Sequence, residues 1–193
     1  MSGNYFAQAT IFLVELSFDI FILALILRYL FTVVRIDSFN PLSSLIIKIT
    51  NPLLKPIRRT IPGYFGVDWS SVLALFSIQA IEIMLVTFIA SGEIPALTGL
   101  VILTIAHLLR MIFYMYLFII LIQVIISWIN PNVYHPITEI MHRISWPILK
   151  LPRKLIPSAG GIDFSPLIIL VIINLLMILV ISPLLDWGQK LSL

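Results

Sequence analysis

Cysteine is absent from this 193-residue chain, which excludes disulfides, thiolate chemistry and cysteine-bound metal. Charge is scarce too: Asp, Glu, Lys and Arg make up 11% of the residues, against about 25% in soluble domains. Glycine, at 8 residues, is far too rare for a collagenous or low-complexity chain. What stands in their place is apolar, with 60% hydrophobic residues and a mean hydropathy of +1.10. That composition excludes disorder and leaves too little charge to wet a soluble surface, so an integral membrane protein remains. The 12 Lys+Arg and 9 Asp+Glu leave a net charge of +3; in such a protein the placement of cations matters more than their sum.

A bilayer core needs about 20 apolar residues in a helix. Four stretches qualify, at about 6–34, 69–90, 97–129 and 165–185. The first and third are long enough to require tilt or overhang. Their continuity argues against β-barrel strands, which alternate over about ten residues. No Lys or Arg precedes the first run, so a retained span is expected rather than a cleaved signal. Arg35, Lys48, Lys55, Arg58 and Arg59 lie between spans one and two, and Arg143, Lys150, Arg153 and Lys154 between three and four; the other side has only Lys190. The positive-inside rule then predicts both long segments in the cytoplasm and both termini outside.

Shifting the chain by 95 residues aligns its halves without a gap. Asn40-Pro41 falls on His135-Pro136, Asn51 through Lys55 on Trp146 through Lys150, Arg58-Arg59 on Arg153-Lys154, Ile61-Pro62 on Ile156-Pro157, and Asp68-Trp69-Ser70 on Asp163-Phe164-Ser165. Two repeats, 1–95 and 96–193, are expected. Each is span, cytoplasmic segment, span, so the copies enter the membrane in the same direction as parallel repeats. Within the segments, Leu42, Leu45, Ile46 and Ile49 define one apolar helical face, and Ile137, Ile140, Met141 and Ile144 repeat the spacing. Asn40 suits the cap and Pro41 the first turn. Amphipathic helices over about 41–60 and 136–155 are expected to lie in the interface, apolar face toward acyl chains and cations toward phosphates. They either anchor and orient the chain, or form a docking face for anionic head groups or for an unidentified membrane or cytoplasmic protein. Asp68 and Asp163 are expected as N-caps of the return spans.

The stretches Leu53 through Pro62 with Val67-Asp68-Trp69-Ser70, Ile148 through Pro157 with Ile162 through Leu167, and Ser127-Trp128-Ile129-Asn130-Pro131 resemble the signature of the YggT (YlmG) family, over essentially the whole chain, in its two-copy bacterial form. The first copy departs at Ser71, where the second has Pro166, and Pro56-Ile57 stands where the second has Leu151-Pro152. The resemblance implies a bacterial inner-membrane protein. Members are linked to osmotic-shock tolerance through potassium uptake or to a cell-division gene neighbourhood, and plastid relatives to cytochrome b6f assembly and nucleoid organisation. It supplies no catalytic residue. It marks Lys55, Arg58, Arg59, Lys150, Arg153 and Lys154 as signature cations, the candidates for lipid or partner docking.

Ionisable groups within spans are costly and face protein or water. Here they are Glu15, Asp19, Arg28, Glu82, His107 and Arg110. Gln79 and Asn174 are repeat counterparts, and so are Glu15 and Arg110. Glu15 or Asp19 pairing with Arg110 is one reading, a wetted ion path through Glu15, Asp19 and Glu82 another, and snorkelling of Glu15 a third. Ser70, Ala74 and Ser77 form a small-residue packing stripe. No His-Glu-x-x-His, Gly-x-Ser-x-Gly or phosphate-binding glycine loop occurs, and His135 with His142 makes a weak metal pair. The basic, proline-rich clusters suit lipid head groups better than nucleic acid. The expectation is an all-α membrane protein of four transmembrane helices from two parallel repeats, without enzyme activity, cofactor or metal. It would serve as an accessory or scaffold in membrane-complex assembly or envelope and osmotic homeostasis. The alternative is a small ion channel, which with four helices per chain requires a homo-oligomer.

Overall fold

The computed structural model describes residues 5–37, 39–61, 63, 67–129, 135–155 and 163–192. Pro62, Asn130, Pro131, Ile156, Pro157 and Ile162 of the signature lie outside them. Seven α-helices follow in order: α1 (Tyr5–Val33), α2 (Pro41–Thr60), α3 (Trp69–Ser91), α4 (Leu97–Ile129), α5 (Pro136–Leu155), α6 (Ser165–Leu176) and α7 (Ser182–Ser192). A π-helical turn, Met177–Ile181, joins α6 to α7. Among the described residues four helical stretches are long and apolar enough to cross a membrane: α1, α3, most of α4, and α6 through α7. No sheet occurs among the described residues.

The last span runs to Ser192, beyond the 185 that hydropathy marks. Its π-helical turn has a local cause. Pro183 follows Ser182 inside a continuous helical stretch, where proline lacks an N–H and crowds the preceding turn. Widening that turn relieves the clash, and both the N–H and the Oγ of Ser182 bond to the Met177 carbonyl.

The membrane helices pack in the order α1, α3, α4, then α6 and α7. Helix α3 holds the middle, against both α1 and α4, while α1 makes no comparable packing with α4 or with α6 and α7. The bundle therefore has an open side. One core cluster joins Ile22, Leu25 and Ile26 of α1 to Ala74 of α3, Met115 of α4 and Ile140 of α5. A second joins Ile120 to Leu149, Ile169 and Ile173. At the far end, Gly99 of α4 lies so close to α7 that a Cβ would fall on the backbone of Leu191 and Ser192. Gly92, with φ of 78°, ends α3 in the left-handed conformation that glycine tolerates.

Helices α2 and α5 sit at the basic end. Asn40 accepts the Leu42 N–H at 3.0 Å, and His135 Nδ1 accepts the Ile137 N–H at 3.2 Å. Asn40 also donates to the Pro136 carbonyl at 3.2 Å, so the two helix starts touch. The face that α2 buries is Ser43, Ile46, Thr50 and Leu54, while Leu45 and Ile49 are exposed. The apolar stripe is thus split: Ile46 faces the bundle, and Leu45 and Ile49 do not.

Candidate functional site

Two groupings of polar side chains stand out, one at the basic end and one inside the spans. At the basic end, each surface helix is tied to the start of the following span. Arg58 forms a salt bridge with Asp68, and Asp68 accepts the Ser71 N–H at 3.3 Å and the Ser71 hydroxyl at 2.7 Å. Arg153 Nε donates to Asp163 at 2.8 Å, and Asp163 accepts the Ser165 N–H at 2.9 Å. The Arg153 guanidinium also stacks over Trp146, 5.6 Å from the ring centre.

Asp68 is the N-cap of α3, whereas the cap position of α6 is Phe164, which makes no side-chain cap bond. The second carboxylate thus serves from one residue further out, where Pro166 occupies the first turn. Burial alone would raise the Asp68 carboxyl; hydrogen bonds from Ser71 and Arg58 and the charge of Arg58 hold it below the ordinary range. Asp163 is lowered as well: burial would raise it, and the bonds from Ser165 and Arg153 outweigh that.

The six signature cations therefore divide by role. Arg58 and Arg153 are engaged in holding the fold. Lys55, Arg59, Lys150 and Lys154 are exposed and have no ion-pair partner among the described residues, as is Lys48. Arg143 is bound to Glu139 at 2.8 Å, one helical turn back. Arg28, near the same end, is within electrostatic reach of Arg58 and Asp68, and its Nε is buried without a hydrogen-bond partner.

Inside the spans, a cavity of about 540 Å³ opens between α1, α4 and α5. Its walls are apolar, including Leu23, Met111, Met115, Phe118 and Ile144; its polar lining is Asp19, Gln79, His107, Arg110 and Tyr114. Gln79 donates to Glu82 at 2.8 Å, and both are buried. Glu82 is within electrostatic reach of Asp19 and Arg110 and of the exposed Glu15. Among the described residues no ion pair joins Arg110 to Glu15 or Asp19; Asp19 and Arg110 share the cavity wall without closing on each other. Asn174, the counterpart of Gln79, is exposed and donates only to the Leu170 carbonyl of its own helix, at 2.8 Å.

One polar fastening leaves little trace in the sequence. Gln123 of α4 donates to the Met141 carbonyl at 2.9 Å and to Ser145 Oγ at 2.8 Å, clamping α5 to its span. A lone amide in a long apolar run, 95 residues after Arg28, was the available signal. Among the described residues no group of three His, Asp or Glu side chains is placed to hold a metal.

The profile of the CCB3/YggT family matches twice, at residues 7–89 and 102–184. An uncharacterized protein of Pseudomonas aeruginosa is 33% identical over 178 residues, covering 90% of this chain and 89% of its own. An uncharacterized protein of Vibrio alginolyticus, from the proC 3′ region, is 30% identical over 182 residues, covering 92% and 97%. The uncharacterized protein YggT of Escherichia coli K12 is 30% identical over 163 residues, covering 84% of each. No solved structure matches.

Proposed function

The chain belongs to the CCB3/YggT family of integral membrane proteins, and from that premise we propose that it is a non-enzymatic scaffold of the bacterial inner membrane that gathers anionic lipid at its cytoplasmic surface. In this reading the halves are parallel repeats about an axis along the membrane normal. Both termini lie outside, and α2 and α5 rest in the cytoplasmic interface. The observation that carries it is the exposure of Lys48, Lys55, Arg59, Lys150 and Lys154 without ion-pair partners among the described residues, on helices whose other faces are fastened to the bundle. Each such cation near an anionic leaflet is worth on the order of 1 kcal/mol, and all five sit on helices that are already folded. A lipid platform of this kind supports membrane-complex assembly or envelope and osmotic homeostasis by concentrating anionic head groups where a partner docks.

The test is the lipid that accompanies the purified protein. Native mass spectrometry from mixed phosphatidylglycerol and phosphatidylcholine nanodiscs should show enrichment of the anionic lipid, lost with Lys55→Gln, Arg59→Gln, Lys150→Gln and Lys154→Gln together. Arg58 and Arg153 are left intact because they hold the fold. Equal enrichment in the variant refutes the platform. A second reading, a small ion-conducting oligomer, is favoured by the cavity and by the carboxylates Asp19 and Glu82 beside it. Potassium and proton flux in liposomes, abolished by Asp19→Asn with Glu82→Gln, would establish it; no flux under an imposed gradient removes it.

A further inference from the structure

The open side of the bundle is explained by comparing a junction the chain makes with one it leaves unmade. Within the chain, α3 packs against α4: Ala80, Ile83 and Met84 meet Leu100 and Leu103, and Gln79 shares a cavity wall with Arg110. The residues 95 positions after this α3 face are Leu175, Ile178 and Leu179, which stand 49%, 63% and 69% exposed, with Asn174 exposed beside them. The residues 95 positions before the α4 face are Tyr5, Gln8 and Glu15, all exposed. Both halves of a second junction are therefore present on one chain, at opposite edges of the bundle, and they do not meet.

Acyl chains can cover Ile178 or Leu179. They cannot satisfy the Glu15 carboxylate, or the Asn174 amide beyond the one bond it makes within α6. We propose that α6 and the π-helical turn of one chain dock on α1 of a second copy, repeating between chains the α3–α4 junction within one. Asn174 then takes the place of Gln79, and Glu15 of the second copy that of Arg110. The pairing is chemically apt, because the second N–H of the Asn174 amide is a donor and a carboxylate accepts it. The contact is head-to-tail, with different surfaces on the two subunits, so it closes as a ring when the rotation per copy allows.

The absence of cysteine makes the test clean. One chain carries Gln8→Cys, another Ile178→Cys, and the two are co-expressed and oxidised in native membranes. The expected result is a covalent dimer that requires both variants. The control pair Gln8→Cys with Leu85→Cys, the latter on the exposed face of α3, should give none. Equal yield from the control, or no dimer from the main pair, overturns the proposal. So does a double variant in one chain that oxidises only within itself, since α6 would then rest on its own α1. Adding Asn174→Leu to the Ile178→Cys chain should lower the dimer yield, and an unchanged yield overturns the Asn174–Glu15 contact.

Discussion

The two halves fasten their surface helices alike and furnish their membrane interiors differently. Arg58–Asp68 and Arg153–Asp163 join surface helix to return span at positions 95 apart. Deeper in, the first half places Gln79 and Glu82 in the core, where the second has an exposed Asn174 and the π-helical turn that starts at Met177. Similarly, Arg28 has a buried nitrogen without a partner, where its counterpart Gln123 is hydrogen-bonded to Met141 and Ser145. The joint at the surface is shared by both halves. The buried charge belongs to the first half and the regular polar clamp to the second.

The largest expected effect lies in the second half, at the close approach of α4 and α7. Gly99→Ala forces a methyl onto the backbone of Leu191 and Ser192. It should cost about 3 kcal/mol, as overpacking against an unyielding surface does, despite alanine's better helix propensity. Gly188→Ala is the comparison: its Cβ would meet Leu103 Cγ and Cδ2 at 2.8 Å and the Leu103 backbone nitrogen at 3.2 Å, a milder clash that falls mostly on a side chain, so the cost should be smaller, about 2 kcal/mol. Thermal unfolding in detergent reads both, and equal losses would refute the asymmetry.

Next come the shared ion pairs, unequal in their surroundings. The Asp68 side chain is 11% exposed and that of Asp163 39%. Asp68→Asn leaves Arg58 without its counter-charge and weakens the bonds from Ser71, at a cost of about 2 kcal/mol. Asp163→Asn should cost about 1 kcal/mol or less, since exposed pairs contribute little. Titration follows the same order. Both carboxyls are held below their ordinary value, so their stabilisation is complete above the unfolded value near pH 4. It is lost as pH falls through the lowered folded values. Unfolding temperature measured from pH 7 to pH 3 should drop in the native protein and drop less in Asp68→Asn; parallel curves would remove Asp68 as the source.

How much of this was legible in the sequence differs by region. The membrane spans are, because about 20 apolar residues in a row have few alternatives. The end of the fourth is not: Ser182-Pro183 looks like a terminus, and the π-helical turn that carries the helix past it leaves no hydropathy signal. The buried face of α2 was hidden for a different reason. Leu45 and Ile49 fit the apolar period as well as Ile46 does, and a bilayer gives exposed apolar residues a home. The ion pairs are legible in principle, since Arg and Asp recur ten positions apart in both halves, but the same arginines fit the pattern of docking cations equally well. Glu15, Asp19 and Arg110 were visible as charge within spans. Spacing along the helices could not say that Arg110 stops short of an ion pair with either acid.

The smallest effect tests the comparison most sharply, because its sign differs between halves. Gln123→Leu removes bonds to Met141 and Ser145 and should destabilise by about 0.6 kcal/mol, the average for a polar contact in a membrane bundle. The counterpart change, Arg28→Gln, runs the other way. It removes a buried guanidinium nitrogen that has no partner and places an amide at the position that, by the 95-residue offset, corresponds to Gln123, with Ile46 and Thr50 the counterparts of Met141 and Ser145. A gain of about 0.6 kcal/mol is expected if the amide reproduces the clamp. Arg28→Leu separates the two contributions, since it removes the charge and builds no clamp, and should fall between the native protein and Arg28→Gln. If Arg28→Gln instead lowers the unfolding temperature as Gln123→Leu does, the arginine is stabilising where it stands. The two halves would then have solved the seating of their surface helices by different chemistry, rather than one half having kept a solution the other gave up.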